Sequence, residues 1–177
     1  MVDQFTFGTL AIPDKPSLVV LPFQNMSGDP EQEYFSDGMA EDITTAVSRI
    51  RSLFVIARNS AFAYKGTSPD IRKVGRELGV RYVLEGSVRK SGKRVRITVQ
   101  LIEAPSGTHI WANRFDGALD DVFGLQDRVA ASVVAAISPT LRNAEIQRAQ
   151  RAPTNNPQAY DLLLRAVSLS QLDACRL

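Results

Sequence analysis

Acid and base are segregated along this chain. Asp29, Glu31, Glu33, Asp37, Glu41 and Asp42 crowd one stretch, and Arg89, Lys90, Lys93, Arg94 and Arg96, reinforced by Arg81, crowd another. Carboxylates at that density could hold a divalent cation or act as a general acid/base pair. Their spacing lacks the EF-hand ligand order, and the same residues suit the positive end and the solvated face of a helix, so no metal is assigned to them. The basic run could meet phosphates, but no aromatic residue interleaves it for base stacking. It points to an acidic patch on a partner protein rather than to nucleic acid. His109 is the only histidine, and nothing marks a carboxylate partner for it. Cys175 lies in the tail, no G-x-S-x-G is present, and no phosphate-cradling glycine loop occurs. The motifs therefore predict no catalytic residues and no cofactor: the chain reads as a non-enzyme.

The elements that must position these residues follow from hydrophobic period. Ser17–Phe23 is an apolar run bounded by Pro16 and by the polar loop Gln24–Glu33, the pattern of a strand buried on both faces. Asp29 as cap, Pro30 at the first helical position and Gln32 behind it predict a helix start. Phe35, Met39, Ile43, Val47 and Ile50 then recur as one stripe. Leu53–Ala57 reads as a second strand, parallel to the first. Arg58–Thr67 reads as a loop. Ser68-Pro69-Asp70 starts a helix with Ile71, Val74 and Leu78 on one face, stopped by Gly79.

From Arg81 the period changes to alternation. Tyr82, Leu84, Gly86 and Val88 take one face, and Val95, Ile97, Val99 and Leu101 alternate with Arg94, Arg96, Thr98 and Gln100; with turns at Ser91-Gly92 and Pro105-Ser106-Gly107, residues 81–115 predict a three-stranded antiparallel meander. A long helix over Asp121–Leu141 follows, with Pro139 expected to kink or split it. The expected fold is mixed α/β, in the order β-α-β-α-β-β-β-α, with a mixed parallel/antiparallel sheet and helices packed on it.

This order has a chemical consequence. Asn25, Ser27, Gly28 and Asp29 after the first strand, and Arg58, Asn59 and Ser60 after the second, are expected at the carboxyl ends of adjacent parallel strands, where open α/β sheets bind ligands. They form a candidate site for a small anion or nucleotide. The basic hairpin Arg89, Lys90, Lys93, Arg94 and Arg96 is the candidate interaction surface.

A chain of 177 residues fits one domain with an attached fragment. The formal charge of +2 is too small to argue for nucleic acid or a membrane, so electrostatics must act through local clusters. One cysteine excludes an intrachain disulfide and suits a reducing compartment. No apolar run approaches the ~20 residues that span a bilayer, and Met1–Leu10 lack the basic and apolar regions of a signal peptide. A cytoplasmic location is expected.

The run LVVLPFQNMSGDPEQEYFSDGMAEDITTAVSRI, followed by FVIARNSAFAYKG, VGRELGVRYVLEGSVRKSGKRVRITVQLIEAPSGTHIWANRFDG and DVFGLQDRVAASVV, resembles the TolB-like amino-terminal domain of many bacterial regulatory proteins. In that family the domain sits between an upstream adenylate/guanylate cyclase or winged-helix domain and downstream tetratricopeptide repeats. The resemblance implies a non-catalytic α/β module for assembly or signal coupling, partnered by other proteins or by neighbouring domains of the same polypeptide. No cyclase catalytic domain is present in the sequence. Residues 1–15 read as a linker, 16–150 as the TolB-like domain, and 151–177 as a linker plus the start of a truncated tetratricopeptide-like helix at Gln158–Val167. Exposed edge strands in the meander leave room for a homodimer built by sheet extension.

Overall fold

The structure, a computed structural model, describes residues 15–151. The expected amino-terminal linker up to residue 14, the repeat-like helix at Gln158–Val167 and Cys175 lie outside the described residues. The chain divides into two compact units, Met1–Thr140 and Leu141–Leu177. In the second, residues 141–151 are helical, and Glu145 accepts from Arg148 at 2.8 Å.

The first unit is a mixed α/β fold. Its elements run β1 (Ser17–Val20), β2 (Gln24–Asn25), α1 (Glu31–Val47), β3 (Phe54–Val55), α2 (Arg58–Phe62), α3 (Ile71–Leu78), β4 (Tyr82–Ser91), β5 (Arg94–Glu103) and β6 (Thr108–Ala118), and α4 (Val122–Arg151) begins in it. The sheet order is β3-β1-β4-β5-β6, with β2 paired to β4 beyond the end of β1. β1 lies parallel to both β3 and β4, and β4, β5 and β6 form the antiparallel meander.

All four residues of β1 are buried, as a strand covered on both faces must be. Val19 and Val83 face one cluster with Leu21, Ala61, Val74, Val80 and Ala104, where α2 and α3 pack. The opposite face carries Val20, Leu84 and Leu101, and continues into Val95, Ile97 and Val99. There α1 buries Phe35, Met39, Ile43 and Val47, and α4 buries Leu125, Val129, Val133 and Ile137. Ser17 closes the start of β1 by accepting the buried Arg81 N–H at 3.0 Å.

The expected strand Ser17–Phe23 is interrupted. Leu21 still donates to the Leu84 carbonyl at 2.8 Å, but Pro22 has no N–H, and pairing resumes only at β2. Phe23 fills the break and lies on Gly86: a Cβ at Gly86 would stand 2.5 Å from the Phe23 ring and 2.6 Å from the Thr98 carbonyl oxygen. Four further boundaries differ from the sequence reading. Arg58, Asn59 and Ser60 start α2 rather than a loop, with Ala61 buried beneath it. The second parallel strand is only Phe54–Val55, with Phe54 half exposed. The helix start at Ser68-Pro69 moves to Asp70, whose carboxylate accepts the Arg72 N–H at 2.9 Å, and Gly79 ends the helix at φ 63°. Pro139 does not split α4, which is assigned through to Arg151. The carbonyl that loses its partner to Pro139 is that of Ala135, an exposed residue open to solvent.

Two predictions follow from this packing. Gly86→Ala has no room to relax away from both a ring and a backbone carbonyl, so it should lower stability by about 1–3 kcal/mol in urea unfolding. Unchanged stability would show that Phe23 does not sit there. The second concerns Tyr64, which donates to Glu77 Oε2 at 2.6 Å and ties the end of α2 to α3. Burial, and then the Glu77 carboxylate, push its phenol up to about 12 from 10.0. Because the folded state favours the neutral phenol, this stabilisation is complete below the unfolded value and is lost as pH rises through about 12. Tyr64→Phe should therefore flatten the alkaline fall in stability between those values, and a parallel curve would refute the contact.

Candidate functional site

The basic residues are sorted by the pleat. Arg89 is the cross-strand partner of Arg96, and Arg96 of Asp116, so these three side chains stand on one face; Lys90 pairs with Val95 and belongs to the other. That other face takes Lys90 to the loop after β2, where its Nζ lies 3.2 Å from Asp29 Oδ2. Lys90 thus leaves the surface predicted for it, and Arg114 joins in its place, opposite Thr98.

On the exposed face Arg96 grips Asp116 in a fork, with Nε at 2.7 Å and Nη2 at 3.3 Å, and Arg114 Nε stands 3.9 Å away. Arg96, with weaker help from Arg114 and Arg94, holds the Asp116 carboxyl below the usual carboxylate value. A shallow cleft of about 220 Å³ lies here, lined by Arg89, Ser91, Arg94, Val95, Arg96 and Asp116. Arg89 and Arg94 make no ion pair within the described residues, and Lys93 at the turn is likewise unpaired. Like charges directly opposite on a sheet repel, so Arg89 beside Arg96 leaves a surplus that suits an incoming carboxylate or phosphate. The sequence reading missed Arg114 because only the β5–β6 register, with its irregularity between Leu101 and Ile102, brings it across.

The residues of the two loops proposed for a small anion are each engaged with different neighbours. β2 pairs along β4, so the loop after it is carried to Val88–Lys90. There Ser27 Oγ accepts the Lys90 N–H at 3.0 Å, Asn25 Oδ1 accepts the Ser27 N–H at 3.0 Å, Asn25 Nδ2 donates to the Asp29 carbonyl at 2.8 Å, and Asp29 Oδ1 accepts the Glu31 N–H at 3.1 Å. Gly28 turns the chain at φ 70°. Lys90 above all, and the Glu31 N–H, hold the Asp29 carboxyl below its ordinary value. Arg58 instead lies over the Phe62 ring at 4.2 Å and meets Glu41 at 3.5 Å, while Asn59 and Ser60 are exposed on α2. The cleft that Arg58 lines includes Glu31 but none of Asn25, Ser27, Gly28 or Asp29.

The acids of α1 are drawn to cations on neighbouring segments. Lys65 Nζ lies 2.5 Å from Asp37 Oδ2 and 3.7 Å from Glu33. No group of three or more His, Cys, Asp or Glu side chains converges as for a metal among the described residues. His109 is exposed near the start of β6, opposite Ile102. No described helix is long and apolar enough to cross a membrane.

Over 155 residues the chain is 56% identical to "Putative adenylate cyclase 3" of Rhizobium meliloti (strain 1021), a match that takes in 88% of this chain and 26% of that protein. The chain thus spans about a quarter of that relative's length. Among solved structures it is similar to lipoprotein GNA1162 from Neisseria meningitidis, with a TM-score of 0.52 and 18% identity over 70% of this chain and 99% of that one. It is also similar to TolB from Acinetobacter baumannii, with a TM-score of 0.51 and 14% identity over 73% of this chain and 30% of that one. At such identities the likeness is one of fold, and it agrees with the TolB-like arrangement expected from the motifs. The model of the second domain of HilA/YgeH-like transcriptional regulators matches residues 14–132, more than half of the sequence, and the chain therefore belongs to that family.

Proposed function

We propose that this chain is a non-catalytic interaction and signal-coupling module of a larger bacterial regulator, working in the cytoplasm and docking an acidic surface on its basic sheet face. The observation that supports this reading is the uncovered face of β4, β5 and β6, where Arg89, Arg94 and Arg96 stand together with Arg114 and share one carboxylate, Asp116. Membership of a regulator family supports a regulatory role. The cyclase named in the relative belongs to a protein nearly four times longer than the match, so its chemistry is assigned to segments outside this module. Linkage to a cyclase or winged-helix effector on one side and to tetratricopeptide repeats on the other is part of the same proposal. The anion-sensing reading would need the Asn25–Asp29 and Arg58–Ser60 loops to act together, and their engagement with different neighbours favours the interaction reading.

The test is a chimera of the relative carrying this chain in place of its matching segment. It should keep partner recruitment and output, and Arg89→Glu with Arg94→Glu should weaken recruitment by at least about tenfold, about 1.4 kcal/mol. Added salt should narrow the difference, as expected for exposed charges. Recruitment and output that survive both this reversal and removal of the segment would sink the reading. A thermal-shift screen with nucleotides and phosphate separates the sensor alternative, because a ligand of the folded state must raise apparent stability and Arg58→Ala would remove that rise.

A further inference from the structure

A furrow of about 440 Å³ runs between the start of α1 and the start of α4. Two aromatic rings stand in solvent on its walls, Tyr34 at 85% and Phe123 at 80% exposure. Gln32, only 8% exposed, lines it with an Oε1 that meets no donor within the described residues, while its side chain also serves Asp29. A buried acceptor left open in this way carries a desolvation cost until a donor arrives. Asp37 Oδ1 is in the same condition. Around the furrow Arg58 serves Glu41, whereas Glu31 and Asp42 have no ion-pair partner among the described residues. Burial, with Asp127 and Glu41 nearby, holds the Asp42 carboxyl above its ordinary value. The furrow therefore holds two unpartnered buried acceptors, Glu31 and Asp42 without an ion pair among the described residues, and two uncovered rings.

The surface that would meet them adjoins it. Lys93 at the β4–β5 turn accepts the Leu119 N–H on its carbonyl at 3.0 Å, and Leu119 lines the furrow. Arg89, Lys93 and Arg94 are the cations of that hairpin without an ion pair among the described residues. The hairpin adjoins the acidic, aromatic furrow at its Lys93 tip, while Arg89 and Arg94 project from the sheet face opposite α1 and α4, so the tip is the part of the hairpin that enters a partner's furrow. A two-fold axis beside them lets each copy's tip enter the other's furrow, satisfying both contacts at once and closing the assembly at two.

We propose that two copies of this chain form a two-fold dimer in which the Arg89–Arg94 hairpin of each docks in the Tyr34/Phe123 furrow of the other. The proposal rests on the basic face being a docking surface and identifies its acidic partner as a second copy. Sheet extension along β6 plays no part in it.

Sedimentation of the full chain tests it. The expected species has twice the 19.4 kDa chain mass and dissociates as salt rises. Lys93→Glu with Arg94→Glu, and separately Glu31→Lys with Phe123→Lys, should each give a monomer that keeps a cooperative thermal melt, since all four side chains are exposed. An equimolar mixture of the two variants should restore the dimer, because each reversed hairpin then meets a reversed furrow. A wild-type chain that stays monomeric at high concentration, variants that dimerise as well as wild type, or a mixture that remains monomeric would each overturn the proposal. If the wild-type chain is monomeric while Arg89→Glu with Arg94→Glu still severs recruitment in the chimera, the docking reading stands and the dimer alone falls.

Discussion

Burial of β1 on both faces is the constraint from which the architecture follows. A strand with Leu18 and Val20 to one side and Val19 to the other needs two layers of cover and two flanking strands. β3 and β4 supply the strands, α1 the cover on one face, and α2 with α3 the cover on the other. Pro22 and Phe23 end this regime. Beyond them the chain hugs β4 as β2, and α2 and α3 do not reach along the meander. One face of β4–β6 is therefore left to polar residues, and the surface available for function is where the cover stops.

The charges follow from that geometry. Exposed ion pairs such as Lys73–Glu77 add little to stability, because solvent screens them and two long side chains must be held in place. The arrangement around Asp116 differs from these. One carboxylate serves Arg96 and Arg114, with Arg94 in range, while Arg89 stands unneutralised across from Arg96. Concentrated charge of one sign is weakly unfavourable in the isolated chain and favourable on encounter with the opposite sign. It is the distribution expected of a surface that works by association.

How far the sequence reveals this depends on the range of the interaction. The α1 stripe, the Gly79 stop and the alternation of the meander are local periodic signals, and each reappears in the structure. β2 escaped notice because two residues carry no period; it exists because β4 offers an edge beyond Pro22. α2 was hidden in a segment with no capping side chain, and its one buried residue is Ala61. In the candidate surface, Arg89, Arg94 and Arg96 were readable as a cluster. The removal of Lys90 was implicit in strand alternation, whereas the arrival of Arg114 depends on a strand register that no local pattern fixes. The two loops were expected together because they follow adjacent strands; the loop after β2 is bonded to β4 through Ser27 and Lys90, while Arg58 turns to Glu41 and Phe62.

Catalysis needs groups held within hydrogen-bond reach in a site that excludes water. The polar groups of the Asn25–Asp29 loop are spent on one another and on Lys90, and Glu33, Asp37 and Glu41 of α1 on Lys65 and Arg58. The groups that remain unspent are broad and superficial: guanidinium groups on an open sheet, two aromatic rings, and carboxylates along a helical furrow. Such features suit a surface of complementary shape and charge, and contacts made through exposed charges are screened by salt.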